Sequence, residues 1–391
     1  MTEPLRAGTL SVADVRRVRM RAQRLIARDA VAARTGPNGT ASTADGPARI
    51  AEAAHYMFAV QGQDWRSSRW ALGVRAPGTR DTDVLRAFDA GLVVRAWPMR
   101  GTLHVVPAAD IGWMQRATNH RVLPGAPKRR AFLGLDDRTL DRLIDTTVGA
   151  LREGGRLSRA EVSDLWTAAG IAWESAWRYH VLWWMCQNGI TTFGPVDGGD
   201  REPQLVLADE WIRHPRSVTG DAALVELATR YTAARGPITA KDLSWWTGLT
   251  LREARSALAH ATESGALVPV AVHDDPATYW ATGEALDDAD GIAPWLVLPA
   301  FDEHLLGYAG RGAQLDPEHF DRIVPGKNGM FLATVVHDGR VVGTWKRGTT
   351  ASAPVETTPF PGHRLSESGV AAAVDRWRAF ARPDPTPATA P

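Results

Sequence analysis

The heptapeptide AVQGQDW, residues 59–65, places Gln61 and Gln63 on either side of Gly62 at the end of an apolar helical run. An amide is neither an acid nor a strong base. It carries an acceptor oxygen and two donor hydrogens, so two amides converging on one water accept its proton and donate to its oxygen. Residues at i and i+2 share no helix face, so convergence requires the helix to end there, which Gly62 permits. The same pair also suits a plainer role, satisfying loose backbone groups at a helix C-terminus, and spacing leaves both open. Asp64 reads as the N-cap of a helix starting at Trp65, with a role as a base the alternative.

Two other runs carry titratable groups. FDEHLLGY holds Asp302, Glu303 and His304, and HDD holds His273, Asp274 and Asp275. Neither has the helical H-x-x-x-H or H-x-x-x-D spacing that forces ligands to converge, so both read as solvated turns and no metal is expected. A metal hydrolase built on Asp302, Glu303 and His304 is the weaker rival. Cys186 is the single cysteine, which excludes an intrachain disulfide and a multi-thiolate zinc site. Its apolar setting, HVLWWMCQNG, reads as core. No G-x-S-x-G, P-loop or G-x-G-x-x-G occurs, so serine hydrolases, nucleotide hydrolases and dinucleotide enzymes lose their signatures and no cofactor is expected.

The elements that must position these residues follow from length and patterning. The 391 residues, 44% hydrophobic and 23% charged, suit two to four compact units. No run approaches the roughly 18–20 apolar residues of a membrane span, and MTEPLRAGTL lacks a signal-peptide core. A soluble, intracellular protein, cytoplasmic in location, is expected. The net charge of +1 hides an asymmetry: residues 1–130 hold 21 Lys and Arg against 10 Asp and Glu, a local balance of +11, and the remainder carries −10. A basic face of this kind attracts polyanions, or else docks on the acidic remainder of the same molecule.

Residues 222–282 run helix, helix, helix, hairpin: ALVELATRYTAARG stopped by Gly236-Pro237, ITAKDLSWWTG, TLREARSALAHATESG with Thr250 and Glu253 as a capping box, then ALVPVAV and TYWAT around a turn at 273–276. That is the order of a winged helix-turn-helix, whose third helix enters the major groove of DNA. The order recurs in LDRLIDTTVGALREG, RLSRAEVSDLWTAAG (capping box Ser158 and Glu161), WESAWRYHVLWWMCQNG and a hairpin of ITTFGP and EPQLVLA around DGGD. A looser copy has helices near 47–60, 66–74 and 82–89, then LVVRAWPM and TLHVVP around Arg100-Gly101. An Arg-rich helix, VADVRRVRMRAQRLIARDAV, and a flexible loop, TGPNGTASTADGP, precede it.

After about residue 289 short strands dominate, with HDG at 337–339 as a tight turn, before a last helix, SESGVAAAVDRWRAFA, and a Pro-rich tail. The expected fold is α+β, mainly α: tandem winged-helix domains with a C-terminal β-barrel. Its units are a basic winged helix at 1–130 carrying the glutamine pair, further winged helices at 131–215 and 216–288, the barrel and helix at 289–382, and a disordered tail at 383–391.

VQGQDWRS at 60–67, RAWPMRGTLHVV at 95–106, WLVLPAFDEHLLGY at 295–308 and VVGTWKR at 341–347 together resemble the AlkZ-like winged-helix DNA glycosylases, over most of the chain. The resemblance implies tandem winged helices, a C-terminal β-barrel and excision of alkylated purines, including interstrand cross-links, from double-stranded DNA. Its Q-x-Q (or Q-x-D) signature falls on Gln61 and Gln63, which inherit the catalytic role. The middle position, commonly bulkier, is Gly62. A purine alkylated at N7 is already a cationic leaving group, so positioning a water suffices and no strong base is needed.

Arg66, Arg69, Arg95 and Arg100, close to the pair in sequence, are the candidate phosphate contacts. His104 either contacts the lesion or lines the site. Trp65 and Trp97 are read as core rather than as wedges between bases. A monomer is expected. The rival from another class is a winged-helix transcription regulator without catalysis, whose DNA binding would ignore changes at Gln61 and Gln63.

Overall fold

The computed structural model describes residues 9–26, 45–196, 202–287, 294–348 and 355–382. Within them the capping boxes do what the sequence marks them for. Ser158 N–H donates to Glu161 Oε2 (2.7 Å) while Ser158 Oγ accepts from Glu161 N–H (3.2 Å), starting the helix Arg159–Ala168. Thr250 and Glu253 exchange the same bonds at 2.6 and 3.1 Å to start Leu251–Glu263. Each cap satisfies amides that the first helical turn leaves without partners, a gain of about 1 kcal/mol.

Three helix-helix-helix-hairpin repeats are present in sequence order. The first is Gly46–Met57, Trp65–Gly73, Asp81–Asp89, β2 (Val93–Met99) and β3 (Thr102–Pro107), with a two-residue strand β1 (Val60–Gln61) between its first two helices. The second is Asp137–Leu151, Arg159–Ala168, Ser175–Gln187, β4 (Thr191–Phe193) and β5 (Leu205–Leu207). In the third, Gly220–Arg235, β6 (Ile238–Thr239), Ala240–Thr247 and Leu251–Glu263 precede β7 (Val268–Val272) and β8 (Asp275–Ala281). The first two hairpins are not separate. They form one antiparallel sheet of order β1-β3-β2-β4-β5, joined at Arg95↔Phe193.

The C-terminal strands β9 (Leu296–Leu298), β10 (Thr334–His337), β11 (Arg340–Arg347) and β12 (Val355–Pro359) make an antiparallel sheet of order β12-β11-β10-β9. Among the described residues it is open rather than a closed barrel. The helix Glu367–Ala381 packs on it, Trp377 meeting Trp345 at a centroid separation of 5.3 Å. The HDG turn is as expected: Asp338 (φ 49°) and Gly339 (φ 69°) join β10 to β11 through left-handed backbone.

The repeats share cores. Phe58, Trp113, Tyr231, Trp246 and Tyr308 lie in one buried cluster, and Trp65, Trp70, Val297, Val335 and Phe380 in another. The first repeat is therefore packed between the third and the C-terminal sheet. The N-terminal helix runs Val12–Ala22, and Leu25 and Ile26 are buried just beyond it. Most of the TGPNGTASTADGP loop, the DGGD turn and the tail at 383–391 lie outside the described residues. Among the described residues no helix is long and apolar enough to cross a membrane.

Candidate active site

Gln61 and Gln63 do not close a helix. Gly46–Met57 stops at Phe58 (φ 68°), and Val60–Gln61 forms β1, an edge strand paired to β3 at Val60↔Val105 and Gln61↔His104. The reason is the neighbouring edge of β3, which offers the backbone a sheet partner. Gly62 N–H continues the ladder by donating to Leu103 C=O at 2.8 Å. The strand carries Gln61, and the bend that follows at Gln63 brings the second amide alongside, the convergence that a helix denies. Gln61 Nε2 donates to Gln63 Oε1 at 3.0 Å. Gly62 allows a close approach rather than ending a helix: a Cβ there would lie 3.0 Å from the His104 carbonyl carbon, so the β3 backbone would have to give slightly.

Two charged residues hold this segment. Arg95 on β2, 1% exposed, donates from Nε to Gly62 C=O (2.6 Å), from Nη2 to Gln63 C=O (3.2 Å) and from Nη1 to Glu202 (2.9 Å). Glu303, in the short helix Glu303–Leu306, accepts the Gln61 backbone N–H at Oε1 (3.1 Å). Its Oε2 accepts from Arg235 Nη2 (2.7 Å), Arg235 Nε (3.0 Å) and Trp246 Nε1 (3.0 Å). Burial would raise the Glu303 pKa, but the Arg235 charge and these bonds outweigh it and hold it below the usual carboxylate range.

His104 lies across from Gln61 on the same sheet face and is fully buried. Its Nδ1 bonds Thr102 C=O at 2.9 Å, which as a neutral ring makes Nδ1–H the donor and leaves Nε2 an acceptor. Burial, aided by the Arg100 charge, lowers its pKa to about 4. Neither His104 Nε2 nor the buried Gln61 Oε1 has a hydrogen-bond partner among the described residues. The site thus offers two adjacent acceptors beside Gln63, which is exposed.

Of the four candidate phosphate contacts, only Arg66 is fully on the surface. Arg69 is buried against Asp81 (3.2 Å), and Arg95 is spent on the glutamine segment. Arg100, half-buried at the β2–β3 turn, stacks over Trp245 at 4.3 Å, and burial lowers its pKa to about 10. Part of the +11 balance is neutralised internally, by Arg75–Asp302, Arg19–Asp242 and Arg95–Glu202. Asp64 caps Trp65–Gly73 through Ser67 N–H (2.7 Å). Trp65 and Trp97 are core, as expected, and burial pushes the Cys186 thiol up to about 12.

Asp302, Glu303 and His304 are the chief correction: they form no solvated turn. All three are buried, Asp302 in a bidentate pair with Arg75 (2.8 and 2.8 Å) and His304 bonded to Gly339 C=O (3.0 Å). Arginines from distant segments supply the compensation that makes this burial possible. The His273–Asp274 turn is exposed, as expected. Sequence reasoning missed Glu303 and Arg235 as supports of the site. The available signal was the apolar flanks of WLVLPAFDEHLLGY, which mark a buried run.

The described residues thus bring a neutral amide pair, braced by buried ions, to the edge of a sheet built from two of three helical repeats. Residues 54–380 match the family model described as "DNA glycosylase AlkZ-like", and the chain belongs to that family, whose members act on DNA. Among individual proteins, the chain is similar to the interstrand DNA cross-link repair glycosylase of Streptomyces sahachiroi, 25% identical over 319 residues, 78% of this chain and 83% of that one. The solved structure of Streptomyces sahachiroi DNA glycosylase AlkZ matches with a TM-score of 0.74 and 22% identity, over 95% of this chain and 97% of that one. The two share a fold.

Proposed function

We propose that the protein is a monofunctional glycosylase that hydrolyses the N-glycosidic bond of cationic N7-alkylated purines in duplex DNA, Gln61 and Gln63 positioning the water. The observation that carries this reading is the buried, unbonded Gln61 Oε1, held in a segment anchored on both backbone sides. With Gln61 Nε2 engaged on Gln63 Oε1, the pair presents Gln61 Oε1 to accept a hydrogen bond from water and the Gln63 amide hydrogens to donate to its oxygen. His104 Nε2 adds a neighbouring acceptor. A cationic purine leaves without a protein acid, so orienting the water is the remaining task, worth several kcal/mol.

In this reading the three repeats serve as winged helices and the C-terminal sheet as an incomplete barrel. Arg66 and Arg100 face phosphates; Arg252 and Arg255, exposed on the third helix of the third repeat, extend the contact. The enzyme acts as a monomer on the nucleoid in the cytoplasm. The name of the Streptomyces relative supports extending the substrate range to bulky adducts and interstrand cross-links joined through N7.

Incubation with duplexes carrying N7-methylguanine or an N7-linked cross-link tests the proposal: released base and an abasic site are expected. Base release no faster than without enzyme, on both substrates, would refute it. The rate should also be level between about pH 5 and 9. His104, held near 4, stays neutral; Glu303, below its ordinary range, stays charged; Arg100, near 10, stays protonated. A limb near 6.5, the ordinary histidine value, would show that a titrating base does the work.

A further inference from the structure

Away from the glutamines, Asp316, His319 and His363 each place a ligand atom so that all three lie within 4.8 Å of one another. Asp316 precedes the turn Pro317–His319, which runs into the helix Phe320–Ile323, and His363 follows β12. His319 is 2% exposed, ringed by Phe360 at 4.7 Å and His363 at 5.7 Å, and neither of its ring nitrogens makes a hydrogen bond among the described residues. Burying an imidazole unbonded at both nitrogens costs free energy that something must offset.

We propose that these three residues bind a divalent transition-metal ion, zinc fitting best, that ties the turn at 316–323 to the segment after β12. One carboxylate and two imidazoles are a donor set suited to zinc, with bonds of about 2.0–2.2 Å and so ligand separations of about 3.3–3.5 Å around a tetrahedron. His363 Nε2 lies 3.9 Å from Asp316 Oδ2, so an inward shift of roughly half an ångström brings that edge to length. The Glu318 carboxylate, 3.6 Å from His319 Nε2, is close enough to orient the ring, and water would complete the coordination.

One group competes. Arg340 Nη1 stands 3.5 Å from Asp316 Oδ2, but its side chain is 41% exposed and swings into solvent at small cost. Among the described residues, the ion pairs and ring contacts of these three residues do not reach Gln61 or Gln63, so the ion's role is structural. The sequence hides it because Asp316 and His319 are paired locally as D-x-x-H while the third ligand is 44 residues further on.

The test is calorimetric titration of the metal-stripped, full-length protein with zinc chloride, with cobalt(II) absorption reporting coordination. One equivalent is expected to bind with tetrahedral cobalt bands and to raise the melting temperature. His363→Gln, at the rim and unable to disturb the core much, should weaken binding by about tenfold or more and abolish the thermal shift. Arg340→Ala should tighten it several-fold by removing the competing cation. No stoichiometric binding, or binding that both Asp316→Asn and His363→Gln leave unchanged, would overturn the proposal and leave the cluster as the Arg340–Asp316 ion pair. N7-methylguanine release by His363→Gln should match wild type at a temperature where both are folded; its loss in a folded variant would overturn the structural assignment.

Discussion

Gln61→Ala is expected to lower single-turnover release of N7-methylguanine by about 10²–10⁴-fold with DNA affinity changed only a few-fold. Alanine removes the one buried acceptor of the pair and the donor that polarises Gln63, while the backbone bonds to Glu303 and Leu103 do not depend on the side chain. Gln63→Ala should cost about 10²-fold, because Gln61 Oε1 persists. The double variant should be little worse than Gln61→Ala, since two groups holding one water act as a unit. Gln63→Asp, which keeps an acceptor for Gln61 Nε2, should retain more activity than Gln63→Ala. Rates within tenfold of wild type for Gln61→Ala, on protein shown to bind the duplex, would remove the amide pair from the mechanism.

Glu303→Ala is expected to destabilise the fold by about 3–5 kcal/mol, measured as the shift in a urea unfolding midpoint at unchanged slope. The change strips the buried Arg235 of its counter-charge and leaves Trp246 Nε1 and the Gln61 N–H without their acceptor. Pairing it with Arg235→Met should recover much of the loss, because an uncompensated buried charge is worse than none. Where Glu303→Ala remains folded, base release should still fall, since β1 has lost its anchor beneath the glutamine pair. A shift under 1 kcal/mol would show that the carboxylate is not the keystone of this junction.

Helix starts were legible because their chemistry is local: the bonds of Ser158 with Glu161 and of Thr250 with Glu253 span three residues. So was the β10–β11 turn, which needs only Asp338 and Gly339. The glutamine pair was legible as a motif and misplaced as an element, because β1 exists only through its pairing with β3 some 44 residues on. Asp302 and Glu303 were misread for the same reason. Their burial depends on Arg75 and Arg235, which no spacing rule connects to them. Burial of the arginines was equally illegible: the sequence does not show that the side chains of Arg69 and Arg95 are buried.

The bond from Gln61 N–H to Glu303 crosses 242 residues of chain. On a ribosome the glutamines emerge early, yet the carboxylate that fixes their strand, and the Arg235 that stabilises it, leave the exit tunnel far later. The nascent chain therefore carries the glutamine motif before the partner that holds its strand exists. On the proposed mechanism, a fragment ending before residue 303 lacks the carboxylate that fixes the glutamine strand and should be inert however well its first repeat folds.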